Sequence, residues 1–266
     1  MEFIHKKKYG QNFLKDPNIC RKIIKAANLS EDEKVWEVGP GKGILTQELL
    51  KCVSDLTCFE IDPELYPFLD EKFGNKIKLI KQDVLKSDWN EIAGKNKIKI
   101  VANLPYQITS PFLFKAAEFS ERTECIVVMI QKEVAARIKA RSGTKDYGLL
   151  SLKMHYFFDA EYLFTVPPHL FIPPPKVNSA VIKFSPRKNK PVIEREEFFW
   201  KIATSAFRNR RKMLRNNLRS ILAKEEIEKL AETGKIELTR RGESLGEEEF
   251  IRLYSDICHI VSLRRS

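Results

Sequence analysis

Four consecutive residues, Asn103-Leu104-Pro105-Tyr106, have types and an order that could do chemistry. They follow an apolar run, Ile98 to Ala102, that predicts a buried strand. An Asn, an apolar residue, a Pro and an aromatic at a strand end suit methyl transfer to the exocyclic amine of a base. Such an amine is a poor nucleophile, because its lone pair is delocalised into the ring. An Asn side-chain oxygen and a nearby backbone carbonyl can accept its two N–H bonds and turn the lone pair towards an electrophile. Asn103 and Leu104 are the candidates for that turn. Pro105 stiffens it, and Tyr106 offers a π-face on which a base can stack. A plain strand followed by a Pro-containing turn would use the same residues, so the choice depends on what lies upstream.

Upstream, Glu37-Val38-Gly39-Pro40-Gly41-Lys42-Gly43 follows a predicted strand and opens a predicted helix. Glycines there let the chain turn tightly and approach a ligand, with Gly39 and Gly41 as the contact candidates. A dinucleotide fingerprint would need glycine at position 44, which is Ile, and a phosphate-binding Walker loop would need Ser or Thr after Lys42. The spacing suits S-adenosylmethionine, which carries no pyrophosphate. Glu60 ends the next strand, where an acid can take both hydroxyls of a ribose. Asp83 ends the third and could accept from an adenine amine while the Val84 N–H donates to the ring. Taken singly, such acids are helix caps or solvated charges. Gly39, Glu60, Asp83 and Asn103 fall on four successive strand ends, where a parallel sheet forms its ligand crevice.

The elements that position these residues read as strands at Lys34–Val38, Leu56–Glu60, Ile77–Lys81, Ile98–Ala102 and Ile126–Ile130. Helices are expected after Asp16-Pro17, from Ile44 to about Val53, over Pro63–Phe73, and through Val134 and Ile138. Alternating strands and helices predict a parallel sheet covered on both faces. Glu161–Val166 and Ser179–Phe184, with only a Pro-rich turn between them, predict an antiparallel pair at one edge. After Pro186 the pattern turns helical, so a domain boundary is expected near residue 187, dividing the chain into 1–186 and 187–266.

The formal charge of +11 over 266 residues points to a polyanionic partner, nucleic acid first. Residues 201–220 hold seven Lys or Arg and no acid, and Arg208, Arg210, Arg211, Lys212 and Arg215 are candidate phosphate contacts. They cannot all lie on one helix face, so some are expected to face acids or the first domain. Lys6-Lys7-Lys8 is a second candidate patch. Five scattered cysteines and four histidines lack ligand spacing, so neither a disulfide frame nor a metal site is expected. No run reaches the ~18 apolar residues of a membrane span, and no secretory signal is visible, so a cytoplasmic location without a membrane partner is expected.

With these motifs in place, the chain closely resembles the KsgA family of ribosomal RNA adenine dimethyltransferases over nearly its whole length. Besides EVGPGKG, FEID, QDVL and NLPY, the resemblance includes Gly10-Gln11-Asn12-Phe13-Leu14, Val166 to Val181 and Ala206 to Leu218. It implies a doubly wound class I, Rossmann-like methyltransferase domain with a mostly parallel α/β sheet and a small all-α domain behind it. It implies that Gln11, Asn12 and Leu14 fold over S-adenosylmethionine, with Ile61 beside Glu60, and it favours Phe171 as a second aromatic that sandwiches the target base with Tyr106. The implied substrate is a pair of adjacent adenosines in the 3′-terminal hairpin of small-subunit rRNA, dimethylated on N6 late in assembly of the pre-30S subunit by an enzyme expected to act as a monomer. The Erm family, which methylates one adenosine in large-subunit rRNA, shares the first motifs and looks less similar over Ala206 to Leu218. A mainly RNA-binding assembly role is the remaining alternative.

Overall fold

A computed structural model describes residues 11–262. The chain divides into two compact units: residues 1–135 with 157–188, and residues 136–156 with 189–266. In this division residues 136–156 belong to the second unit. The reason is visible in their rings: Tyr147 meets Phe207 edge-on at 5.8 Å, and Tyr156 meets Trp200 at 5.3 Å. Those apolar contacts are made with residues far away in sequence, which no local composition shift reveals.

The first unit contains β1 (Phe13–Leu14), α1 (Pro17–Ala27), β2 (Lys34–Val38), α2 (Ile44–Leu49), β3 (Asp55–Phe59), α3 (Tyr66–Phe73), β4 (Lys78–Ile80), α4 (Trp89–Ala93), β5 (Ile98–Asn103), α5 (Thr109–Glu118) and β6 (Thr123–Gln131). Two helices follow, α6 (Lys132–Lys139) and α7 (Leu149–Phe157), before β7 (Phe158–Val166), β8 (Phe171–Ile172) and β9 (Ser179–Pro186). Seven strands form one sheet in the order β4-β3-β2-β5-β6-β9-β7, while β1 and β8 form a separate two-stranded sheet. The expected antiparallel pair is β7 with β9, and β9 also pairs antiparallel with β6. Only β9 therefore runs against the sheet; the edge strand β7 runs with the majority.

Local chemistry explains the elements. Asp16 caps α1 by accepting the Asn18 N–H at 2.8 Å, Pro17 occupies the first turn, and Asn28 closes the helix with a left-handed φ of 48°. The buried residues Ile19, Cys20, Ile23, Ile24 and Ala27 lie at helical spacing and cover one face of the sheet together with Val35, Leu56, Cys58 and Val101. The other face carries aromatic residues: Trp36 meets Phe59 at 5.1 Å and Trp89 at 5.6 Å, both edge-on. The run expected to be one helix from Pro63 begins as a 3-10 turn, Pro63–Leu65, and α2 ends at Leu49, earlier than expected.

The second unit contains nearly all of α7, with α8 (Glu196–Phe207), α9 (Leu214–Leu218), α10 (Lys224–Thr233) and α11 (Glu247–Ser262). Phe199, Ile202, Leu230, Phe250, Leu253 and Ile257 are fully buried there. No helix among the described residues is long and apolar enough to cross a membrane.

Candidate active site

The strand order reverses between β2 and β5, and a cavity of about 310 Å³ opens at the carboxyl ends of the strands there. Eleven of the thirteen cofactor and catalytic candidates line it: Gln11, Asn12, Gly39, Gly41, Glu60, Ile61, Asp83, Val84, Asn103, Leu104 and Tyr106. Phe13, Gln82, Gln107 and Ile108 also line it and were not anticipated.

The glycine loop is built for close approach. Gly39, Gly41 and Gly43 have φ values of 71°, 57° and 73°, which disfavour any side chain. A Cβ on Gly41 would also meet Phe13 Cε1 at 2.7 Å. Glu60 projects beside this loop. Its Oε1 accepts the N–H groups of Ile61 and Asp62, each at 2.9 Å, and its Oε2 accepts that of Gly41 at 3.2 Å. Burial nevertheless pushes the Glu60 carboxyl above its usual range, with these three N–H groups opposing the shift. Glu37 lies deeper, against Cys58 at 3.6 Å, and burial raises its carboxyl to about 7. Asp83 Oδ1 accepts the Leu85 N–H at 2.9 Å, which leaves Oδ2 for a ligand. Lys115 holds the same turn by donating to the carbonyls of Leu85 and Ser87, and Trp89 Nε1 donates to the Val84 carbonyl at 2.9 Å. The Val84 N–H makes no hydrogen bond among the described residues.

At the end of β5, Asn103 Nδ2 donates to the Asn12 carbonyl at 3.2 Å. The Leu104 N–H donates to Met129, and Pro105 receives the N–H of Ile108, so the turn is fixed on both sides. Tyr106 is anchored through its hydroxyl to Ser179 Oγ at 2.7 Å, and burial pushes the phenol up. An acceptor, a rigid turn and an aromatic face thus share one wall of the cavity, next to the glycine loop, where a Cβ on Gly39 would lie 3.6 Å from Pro105.

Two of the candidates do not line this cavity. Phe171 is 2% exposed and does not line the cavity, so it offers no face to a base in this arrangement. Leu14 likewise lies outside the cavity, 5% exposed. The cause is register: Leu14 pairs with Phe171 across β1 and β8, and both side chains join the hydrophobic core. Alternation along β1 turns Phe13 to the cavity instead. That period-two signal was available in the sequence, but a two-residue strand is too short to read from it.

The basic segment of the second unit is largely a loop. After α8 ends at Phe207, residues 208–213 run irregularly into α9, and Arg208, Arg210, Arg211, Lys212 and Arg215 are all exposed. Among the described residues, Arg210 alone of the five meets an acid: its Nε lies 2.9 Å from Glu243, and its Nη2 donates to the Lys145 carbonyl at 2.5 Å. Asn217 braces the loop by donating to the carbonyls of Ala206 and Asn209 at 2.8 and 3.1 Å. Of the cations expected to face acids or the first domain, Arg210 faces Glu243; the other four are exposed, because most of the segment is a loop rather than one helix. Lys6, Lys7 and Lys8 lie outside the described residues. Among the described residues no group of His, Cys, Asp and Glu could hold a metal ion.

Comparison with known proteins converges on one family. The ribosomal RNA adenine dimethylase profile matches residues 2–258. The ribosomal RNA small subunit methyltransferase A of Geobacillus sp. (strain WCH70) is 43% identical over 273 residues, covering 97% of this chain and 94% of its own length. That of Lactococcus lactis subsp. lactis (strain IL1403) is 45% identical, covering 95% of this chain and 90% of its own. Among solved structures, a dimethyladenosine transferase from Plasmodium falciparum superimposes with a TM-score of 0.76 at 24% identity, covering 94% of this chain and 98% of its own. The 23S rRNA methyltransferase ErmE gives 0.65 at 26% identity, with 93% and 100% covered. With a cavity that joins a glycine cradle to an Asn-Leu-Pro-Tyr turn, and with relatives this similar along nearly the whole chain, the protein belongs to the ribosomal RNA adenine dimethylase family.

Proposed function

We propose that this chain transfers methyl groups from S-adenosylmethionine to the N6 amines of two adjacent adenosines in the 3′-terminal hairpin of small-subunit rRNA, late in assembly of that subunit. The observation that carries the reading is that one cavity is lined both by a nucleoside cradle and by an amine acceptor. The residues present fit the methyl donor. Glu60 suits the ribose hydroxyls, Asp83 Oδ2 and the Val84 N–H suit the edge of adenine, and Ile61 and Ile108 supply apolar walls. When bound, the donor supplies a methyl group on a sulfonium.

The chain's own part is alignment. Asn103 Oδ1 and the Leu104 carbonyl accept the two N–H bonds of the target amine, and Tyr106 stacks on the base. A nucleophile held in this way reacts through proximity and orientation rather than through a strong base. The target adenine must leave its stack to reach the cavity. After one transfer a single N–H remains for a single acceptor, so the same turn can serve the second. Arg208, Arg211, Lys212 and Arg215 suit contact with RNA phosphates.

Incubation with labelled donor of undermethylated small subunits, and separately of large-subunit RNA, followed by mass-spectrometric mapping of adenosines, tests the reading. Dimethyladenosine at two neighbouring positions in the small-subunit hairpin is the expected result. Label confined to large-subunit RNA would favour an ErmE-like activity instead.

A further inference from the structure

Residues 11–15 form a strap across the cavity that is tied at several points. Gln11 Nε2 donates to Asp62 Oδ2 at 2.8 Å. The Phe13 ring fills the notch over Gly41, where an added Cβ would lie 2.7 Å from it. Phe13 and Leu14 pair with Ile172 and Phe171, and the Lys15 N–H donates to the Leu170 carbonyl at 3.0 Å. Between these ties, the Asn12 carbonyl receives Asn103 Nδ2 at 3.2 Å.

That last contact has a directional consequence. A carbonyl can only accept, so it admits one orientation of the Asn103 amide; the flipped amide would set oxygen against oxygen. With Nδ2 committed to the strap, Oδ1 is the atom left to accept, and it has no partner among the described residues. We propose that the Asn12 main-chain carbonyl, held in place by Gln11 and Phe13, is the positioning group that keeps Asn103 Oδ1 turned to the target amine. The strap then sets the orientation of the nucleophile as well as covering the donor. This inference rests on the role given to Asn103 above.

A strap that only retained the donor would be rescued by excess donor; one that orients Asn103 would not. Gln11→Ala and Phe13→Ala remove ties without touching Asn103. At saturating S-adenosylmethionine, both should lower kcat for transfer to undermethylated small subunits by about tenfold. Recovery of full kcat at high donor, or failure of both alanine variants to bind donor at any concentration, would reduce the strap to a cover and overturn the proposal. A second readout needs no RNA: with S-adenosylhomocysteine bound, the Asn103 side-chain amide, followed by NMR, should exchange with water at least about tenfold faster in both alanine variants. Unchanged exchange overturns the proposal. A wild-type enzyme that methylates neither RNA would instead count against the proposed function, and the amide exchange would still decide the strap.

Discussion

The cavity in the first unit and the basic loop in the second solve opposite problems with polar residues. Around the cavity, Glu60, Asp83, Asn103 and Tyr106 each spend part of their hydrogen-bonding capacity on the protein and keep the rest in a set direction. In the loop and the first turn of α9, Arg208, Arg211, Lys212 and Arg215 are exposed and meet no acid among the described residues. Chemistry on a weak nucleophile needs directed acceptors in a low-dielectric wall, so its groups are braced. A phosphate backbone is met through Coulomb attraction and counterion release, which tolerate mobile side chains, so the loop is braced through its backbone at Asn217 while its charges remain free. Arg210 belongs to the bracing as well, because it joins Glu243 and Lys145.

The largest effect should come from the braced side. Asn103→Ala should lower methyl transfer by roughly 10²–10³-fold, as loss of a directed hydrogen-bonding group does in other active sites. Calorimetry with S-adenosylhomocysteine should show donor affinity changed by no more than about threefold. Near wild-type transfer in this variant would remove the amine-orienting role.

Glu37 extends the comparison to pH. Burial raises its carboxyl to about 7 in the folded chain, well above the usual carboxylate range. The folded state then holds a proton that the unfolded state releases. Stability falls as pH rises from about 4.5 to about 7 and levels off above, by roughly 3 kcal/mol in all for this one group. Urea unfolding across that window should show a larger loss in the wild type than in Glu37→Gln, whose amide does not titrate and in which the raised Glu60 carboxyl supplies what loss remains. Parallel pH profiles for the two proteins would refute it.

On the unbraced side, Arg211→Ala combined with Lys212→Ala should weaken RNA binding about tenfold at moderate salt. The slope of log K against log salt should drop by ~1–2, with unfolding unchanged. Arg210→Ala should differ by also destabilising the second unit, by about 1 kcal/mol. If all three positions behaved alike in unfolding, the distinction between bracing and free cations would fail.

The smallest effect concerns the thiols. Cys20, Cys58 and Cys125 are buried, and burial pushes the Cys20 thiol up to about 12, whereas Cys52 and Cys258 are half-exposed. A disulfide reagent at neutral pH should label Cys52 and Cys258 first. Fast labelling of Cys20 would mean that the core beneath α1 opens readily.

The sequence by itself determined the sheet and the four strand ends that carry Gly39, Glu60, Asp83 and Asn103. Apolar runs, glycine spacing and Asp-Pro caps are local signals, written wherever backbone preference and burial agree. Tertiary structure decided the rest. It assigned residues 136–156 to the second unit through ring contacts with Phe207 and Trp200. It buried Phe171 by pairing it with Leu14, more than 150 positions away in the chain, and so turned Phe13 to the cavity in its neighbour's place. It separated Arg210 from the cations beside it by bringing up Glu243. In each case the side chain's fate was set by a partner distant along the chain, and contacts of that kind leave no periodicity for a sequence to display.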